Sequence, residues 1–152
     1  TFTEYWEETV ISQGIFMQKN HFSWPIRVYY EDTDAGGIVY YANYLKFIER
    51  ARTEWLRSLG IEQDTWLAHN IAFVVRKVEL DLRQAAKFNA ELMVTVKVTK
   101  IKKASLVFEQ QVLAKDGSVH CQATVLAACI DNQAMKAVAI PEPIISRIQS
   151  GV

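Results

Sequence analysis

The sequence predicts an α+β domain, a curved antiparallel sheet of about five strands wrapped around one long central helix. Three observations predict it. A single long amphipathic run, from about Asn43 to Leu59, repeats its apolar residues every three or four positions. From Ile71 onward the apolar period changes to two, the spacing of half-buried strands. The alternating segments are joined by short turns, which makes sequential strands antiparallel.

In chain order, residues 1–16 (TFTEYWEETVISQGIF) are acidic and aromatic, carry no basic residue and show no clean period. Met17 follows, so the expected native start is Met17. Residues 1–20 are set apart as an N-terminal extension, and residues 21–152 are expected to form one domain. Pro25 opens a strand over Ile26–Glu31, rich in Val and Tyr. Asn43 is the expected N-cap of the long helix, and Gly60 is expected to stop it. Its apolar stripe is Tyr44, Leu45, Ile48, Ala51, Trp55, Leu56 and Leu59, with Arg52 projecting into it and either meeting a carboxylate or lying at its margin. A short helix over Glu62–His69 should turn Trp66 and Leu67 inward. Strands follow at Phe73–Leu82, around Leu92–Val98, around Leu106–Val112 and at Val119–Ile130. Asp116-Gly117 marks a hairpin turn. The odd positions of the last strand (Cys121, Ala123, Val125, Ala127, Cys129) are small, which would let a helix approach closely. Pro141 opens a terminal helix through Ile148.

The bulk composition narrows the function. The 152 residues suffice to bury roughly two-thirds of the unfolded surface in one domain. Lys plus Arg number 17 and Asp plus Glu 17, a balance unlike that of a nucleic-acid protein. Half the residues are hydrophobic, unlike a disordered chain. Cys121 and Cys129 sit on one strand and cannot pair, so a reducing, cytoplasmic setting is expected. No apolar run approaches the ~18 residues of a membrane span.

One stretch concentrates chemistry: Glu31, Asp32 and Asp34 lie beside Gly36-Gly37, just before the long helix. A carboxylate near a helix start can work with amide N–H groups that hold a developing oxyanion. The same acids could instead make Asx-turns and cap local amides, and the residues alone leave both readings open. A calcium loop is excluded, because Gly36 and Asn43 stand at its fifth and twelfth positions. A magnesium ion shared by Asp32 and Asp34 is a minor alternative. His21, His69 and His120 have no metal-ligand spacing, and His120 and Cys121, as strand neighbours, point to opposite faces. Glu49 and Glu54 are expected to be solvated or salt-bridged. Lys100, Lys102 and Lys103 form a basic turn, read either as a solvated hairpin or as a phosphate patch.

The run RVYYEDTDAGGIVYYANYLKFIERARTEWLRSLG resembles the signature of hotdog-fold acyl-CoA thioesterases of the 4-hydroxybenzoyl-CoA thioesterase type. The similarity is nearest to the Tol–Pal-associated acyl-CoA thioesterases of Gram-negative bacteria. AFVVRKVELDL and SLVFEQQVL are also similar to that family, and the resemblance runs from about Phe22 to the C-terminus. It implies a hotdog fold, and sheets paired edge to edge into dimers, commonly assembled into tetramers, with active sites at the dimer interface. It implies Asp34 as the catalytic carboxylate, either general base or nucleophile, and the backbone N–H of Tyr41 as the group that polarises the thioester carbonyl. Some relatives carry His at the Tyr41 position, which puts a side-chain role there in doubt. Lys102 and Lys103, with Ser105 as a weaker candidate, fall where relatives contact coenzyme A phosphates. No metal or organic cofactor is implied, and the substrate is an acyl-CoA. The alternative function is an acyl carrier protein-binding or scaffold role in envelope or phospholipid metabolism. Glu31 and Asp32 are left as structural acids and candidate partners for Arg52.

Overall fold

A computed structural model describes residues 22–151. The expectations for residues 1–20, including the start at Met17, and for His21 lie outside them. The elements are β1 (Phe22–Arg27), a 3-10 turn (Tyr30–Asp32), α1 (Asn43–Ser58), α2 (Gln63–Leu67), β2 (Ile71–Leu82), β3 (Glu91–Ile101), β4 (Ser105–Leu113), β5 (Val119–Asp131), β6 (Lys136–Ala137) and α3 (Glu142–Gly151). The strands form one curved antiparallel sheet in the order β1-β3-β4-β5-β2, with the two-residue β6 paired to β5. Register shifts at Val75/Lys77, Val98/Lys100 and Val112/Leu113 mark the bulges that add twist and bend to the strands.

The expected fold class holds, with corrections to its parts. The first strand lies earlier than Ile26–Glu31, because Asp32 Oδ2 accepts the Tyr29 N–H at 2.8 Å and folds Tyr30–Asp32 out of the sheet. Pro25 sits inside β1, which is tolerated on an edge strand. Simple hairpins join β3, β4, β5 and the short β6 in turn; β2 pairs with β5 at the opposite edge from β1, so α1 and α2 carry the chain across the sheet. Asp116-Gly117 makes the expected turn, with the Gly117 N–H on Ala114 O and φ +87 at Gly117.

Helix α1 buries Tyr44, Phe47, Ile48, Ala51, Trp55 and Leu56 against the concave face, and its backbone comes closest to β3, β1 and β4. Phe47 replaces Leu45 in the stripe, for Leu45 is 41% exposed. Asn43 is not the N-cap: Ala42 precedes the helix, and Asn43 Nδ2 donates instead to Asp32 O at 2.9 Å. Gly60, with φ +77, ends the helix as expected. The shorter helix α2 half-buries Trp66 but leaves Leu67 exposed, against the expected inward pair. The small face of β5 is buried throughout, yet α1 does not settle against it. Of that face, Ala127 lines a cavity between the sheet and α1. Pro141 lies just before α3, where its carbonyl accepts from the Ile144 and Ile145 N–H groups. Ile144 and Ile148 of α3 enter the same core. No described helix is long and apolar enough to cross a membrane.

Candidate active site

The acidic turn is a closed loop whose stem is the bridge between Thr33 and Val39. Asp32 is its structural member. It is 6% exposed; its carboxylate holds the Tyr29 N–H, and its carbonyl accepts both the Tyr40 N–H and Asn43 Nδ2 at 2.9 Å. Asp34 is exposed. Its Oδ1 accepts the Gly36 N–H at 2.8 Å, an Asx-turn, while its backbone N–H reaches Ile38 O at 2.9 Å. A Cβ at position 36 would stand 3.2 Å from that Oδ1, and Gly37 adopts φ +77, so both glycines serve the turn. Asp34 Oδ2 takes no hydrogen bond among the described residues. Capping and an available carboxylate oxygen therefore coexist in one side chain.

The chain runs from this loop into α1. Asn43 and Tyr44 donate backward to Tyr40 and Tyr41, but no acceptor among the described residues meets the N–H of Tyr41 or Ala42. Such orphan amides at a helix start carry partial positive charge and suit an oxyanion. The Tyr41 side chain is 58% exposed and leans on Tyr40, ring centroids 5.0 Å apart. The fold thus brings Asp34 and the Tyr41 amide to one end of the sheet.

The basic turn lies elsewhere. Lys102 and Lys103 are exposed between β3 and β4, with the Lys102 N–H on Ser105 O at 2.8 Å and Lys103 O accepting from Ile140. Lys100, expected in this turn, belongs to β3. The acidic loop follows Arg27, which pairs with Glu91 at the start of β3, whereas the lysines follow Ile101 at its end. At the rise of a strand, the two sets are on the order of 30 Å apart along β3. One chain does not bring them together.

The remaining candidates separate cleanly. His120 is buried with Nδ1 2.9 Å from Gln84 O, His69 has Nδ1 3.0 Å from Thr65 O, and Cys121 faces the core, where burial pushes its thiol up to about 12. Glu54 pairs with Arg57, and Glu49 is exposed. Among the described residues no group of His, Cys, Asp or Glu is arranged to hold a metal. Arg52 meets neither Glu31 nor Asp32, correcting that expectation. Its Nη1 donates to Gln110 Oε1 at 3.1 Å. Gln110 itself escaped the sequence reading: it shares the alternation of Leu106, Phe108 and Val112, is fully buried, and looks polar where a core residue is expected.

Comparison with known proteins adds a consistent set of relatives. Residues 28–148 match the family described as the thioesterase-like superfamily. The chain is 49% identical over 129 residues to the acyl-CoA thioesterase YbgC of Haemophilus influenzae, covering 84% of this chain and 94% of that one. It is 41% identical over 133 residues to the acyl-CoA thioester hydrolase YbgC of Escherichia coli, covering 88% and 99%. Among solved structures, a probable thioesterase from Bartonella henselae superposes with a TM-score of 0.74 at 32% identity, covering 80% of this chain and 99% of that one.

Proposed function

The chain belongs to the thioesterase-like superfamily and is an acyl-CoA thioesterase, and from that premise we propose that Asp34 and the Tyr41 amide carry out the hydrolysis. The observation that carries this reading is the pairing of an exposed carboxylate, one oxygen of which is unengaged, with orphan N–H groups at the start of α1.

The thioester carbonyl oxygen is received by the Tyr41 N–H, with the Ala42 N–H beside it in sequence, and one good donor of this kind is worth about 3–4 kcal/mol in the transition state. In the general-base route, Asp34 takes a proton from water as the water oxygen bonds to the carbonyl carbon. The oxyanion then collapses, the C–S bond breaks, and the proton passes to the departing CoA thiolate. In the nucleophilic route, the Asp34 oxygen bonds to the carbonyl carbon, CoA leaves, and water opens the resulting mixed anhydride. Both routes yield free acid and CoA. Heavy oxygen from labelled water entering Asp34 during a single turnover is the mark of the nucleophilic route, with water opening the anhydride at the Asp34 carboxyl carbon.

Lys102 and Lys103 hold the phosphates of CoA, with Ser105 adjoining them. Because they stand at the far end of β3 from Asp34, a complete site combines the acidic loop of one protomer with the basic turn of another. The open edge of β2, where Val74 and Val75 are exposed, is the surface for that pairing. The assembly is therefore a dimer, or a tetramer built from two such dimers.

Asp34→Asn is expected to lower turnover by ~10²-fold or more, the scale of a lost acid–base group, with the fold intact. Near-normal hydrolysis of acyl-CoAs by that variant would remove Asp34 from the chemistry.

A further inference from the structure

Arg52 is a charge set into the protein without a counter-ion: among the described residues no carboxylate lies within ion-pair distance of it. Its Nη1 donates to the neutral Gln110 Oε1, and its guanidinium carbon stands 5.9 Å from the centre of the Phe108 ring. Gln110 cannot turn away, because its Nε2 is committed to Ile48 O at 3.1 Å and Thr95 O at 3.2 Å. The guanidinium is thereby fixed in the wall of a cavity of about 320 Å³ between α1 and the β2–β5–β4 side of the sheet. The other walls are mixed, with Leu56, Phe73, Leu106 and Ala127 on the apolar side and Glu49, Thr53 and Gln63 on the polar side. Burial disfavours the charged guanidinium, and Glu49, exposed one turn earlier on α1, opposes that effect only through space.

A guanidinium has five N–H donors, and among the described residues this one spends a single hydrogen bond on a neutral amide. A partly buried guanidinium with no carboxylate in ion-pair contact among the described residues is costly to keep, and a carboxylate received bidentately is the partner its fork matches. The apolar residues of the lining suit methylene groups better than a hydrated phosphate, and Arg52 stands among its polar members. Arg52 stands eleven residues beyond Tyr41, about 16 Å along the helix axis. That is the reach of a medium-length acyl chain.

We propose that this cavity is the subsite for the far end of an acyl group bearing a terminal carboxylate, and that Arg52 selects CoA thioesters of medium-chain dicarboxylic acids. The inference rests on the thioesterase reading above and names its substrate class. Gln110 is the positioning residue that aims the guanidinium.

The test compares decanedioyl-CoA with decanoyl-CoA for the full chain and its Arg52→Met and Arg52→Lys variants. The wild type is expected to favour decanedioyl-CoA by ~10-fold or more in kcat/KM, the scale of a hydrogen bond to a charged group. Arg52→Met should bring that ratio to near parity, and Arg52→Lys should recover part of it. Calorimetric titration with free decanedioate and decanoate gives the same comparison without turnover. If the wild type cleaves no acyl-CoA, the thioesterase reading fails while the titration still decides the subsite. Should the Met variant not fold, the Lys variant and the wild-type ratio decide it. Equal handling of the two acyl groups by the wild type overturns the proposal. So does dissociation of the oligomer in both variants with an unchanged ratio, which would identify the missing anion as a carboxylate of a second copy.

Discussion

Gln110 joins helix and sheet through one side chain, with its amide nitrogen on Ile48 O and Thr95 O and its oxygen on Arg52. Replacing it with leucine fills the same space but leaves Thr95 O and the guanidinium short of partners. Gln110→Leu is expected to cost about 1–3 kcal/mol in urea unfolding, the penalty of an abandoned buried polar group. A cost near zero would mean that water or a neighbour takes over those bonds. Asp34 is a different kind of residue. Its Oδ1 holds the Gly36 N–H, and an asparagine oxygen can accept that same bond. Asp34→Asn therefore separates chemistry from turn geometry, which Asp34→Ala would not. The Asx-turn was legible from the spacing of acids and glycines. The tie between Gln110 and Arg52 was not, because it joins residues 58 positions apart.

At the scale of elements, α1 is the piece whose burial holds the domain together. Phe47, absent from the expected stripe, is fully buried and meets Tyr44 edge-on at 6.0 Å. Phe47→Ala is expected to cost about 3–5 kcal/mol, read from the urea midpoint, where Leu45→Ala should cost far less. A helical period sets the width of a stripe, but the sheet it lies on sets its centre. Here the centre falls over β3, β1 and β4, so the stripe shifts from Leu45 toward Phe47. The same offset leaves the cavity beside β5. Asn43 illustrates a parallel point: a good capping residue was in place, but Asp32 O offered its side chain a partner outside the helix.

At the scale of the whole molecule, both edges of the sheet are open among the described residues, and the two halves of the proposed site sit at opposite ends of β3. If the site is shared between protomers, two differently disabled chains should repair each other. Lys102→Ala/Lys103→Ala is expected to raise KM for CoA esters more than for a short thioester lacking the nucleotide. Co-expressed with Asp34→Asn chains, it should give mixed oligomers that regain hydrolysis at low substrate concentration, because one interface then holds an intact Asp34 and intact lysines. Activity no greater than that of the two parents mixed as separate oligomers would show that each chain uses only its own residues.

The sequence by itself determined the class of fold, the long helix, the turn and the family, because these depend on local periodicity, glycine placement and a long contiguous motif. Asp34 and Tyr41 lie within that motif, so their nearness was already local information. The tertiary structure decided the strand order, the position of β2 at an edge, the exact centre-line of the buried helix face, and the separation of the lysines from Asp34. It also decided the seating of Arg52 on Gln110. These depend on contacts between residues far apart in the chain, and no local pattern of side chains encodes which strand will neighbour which.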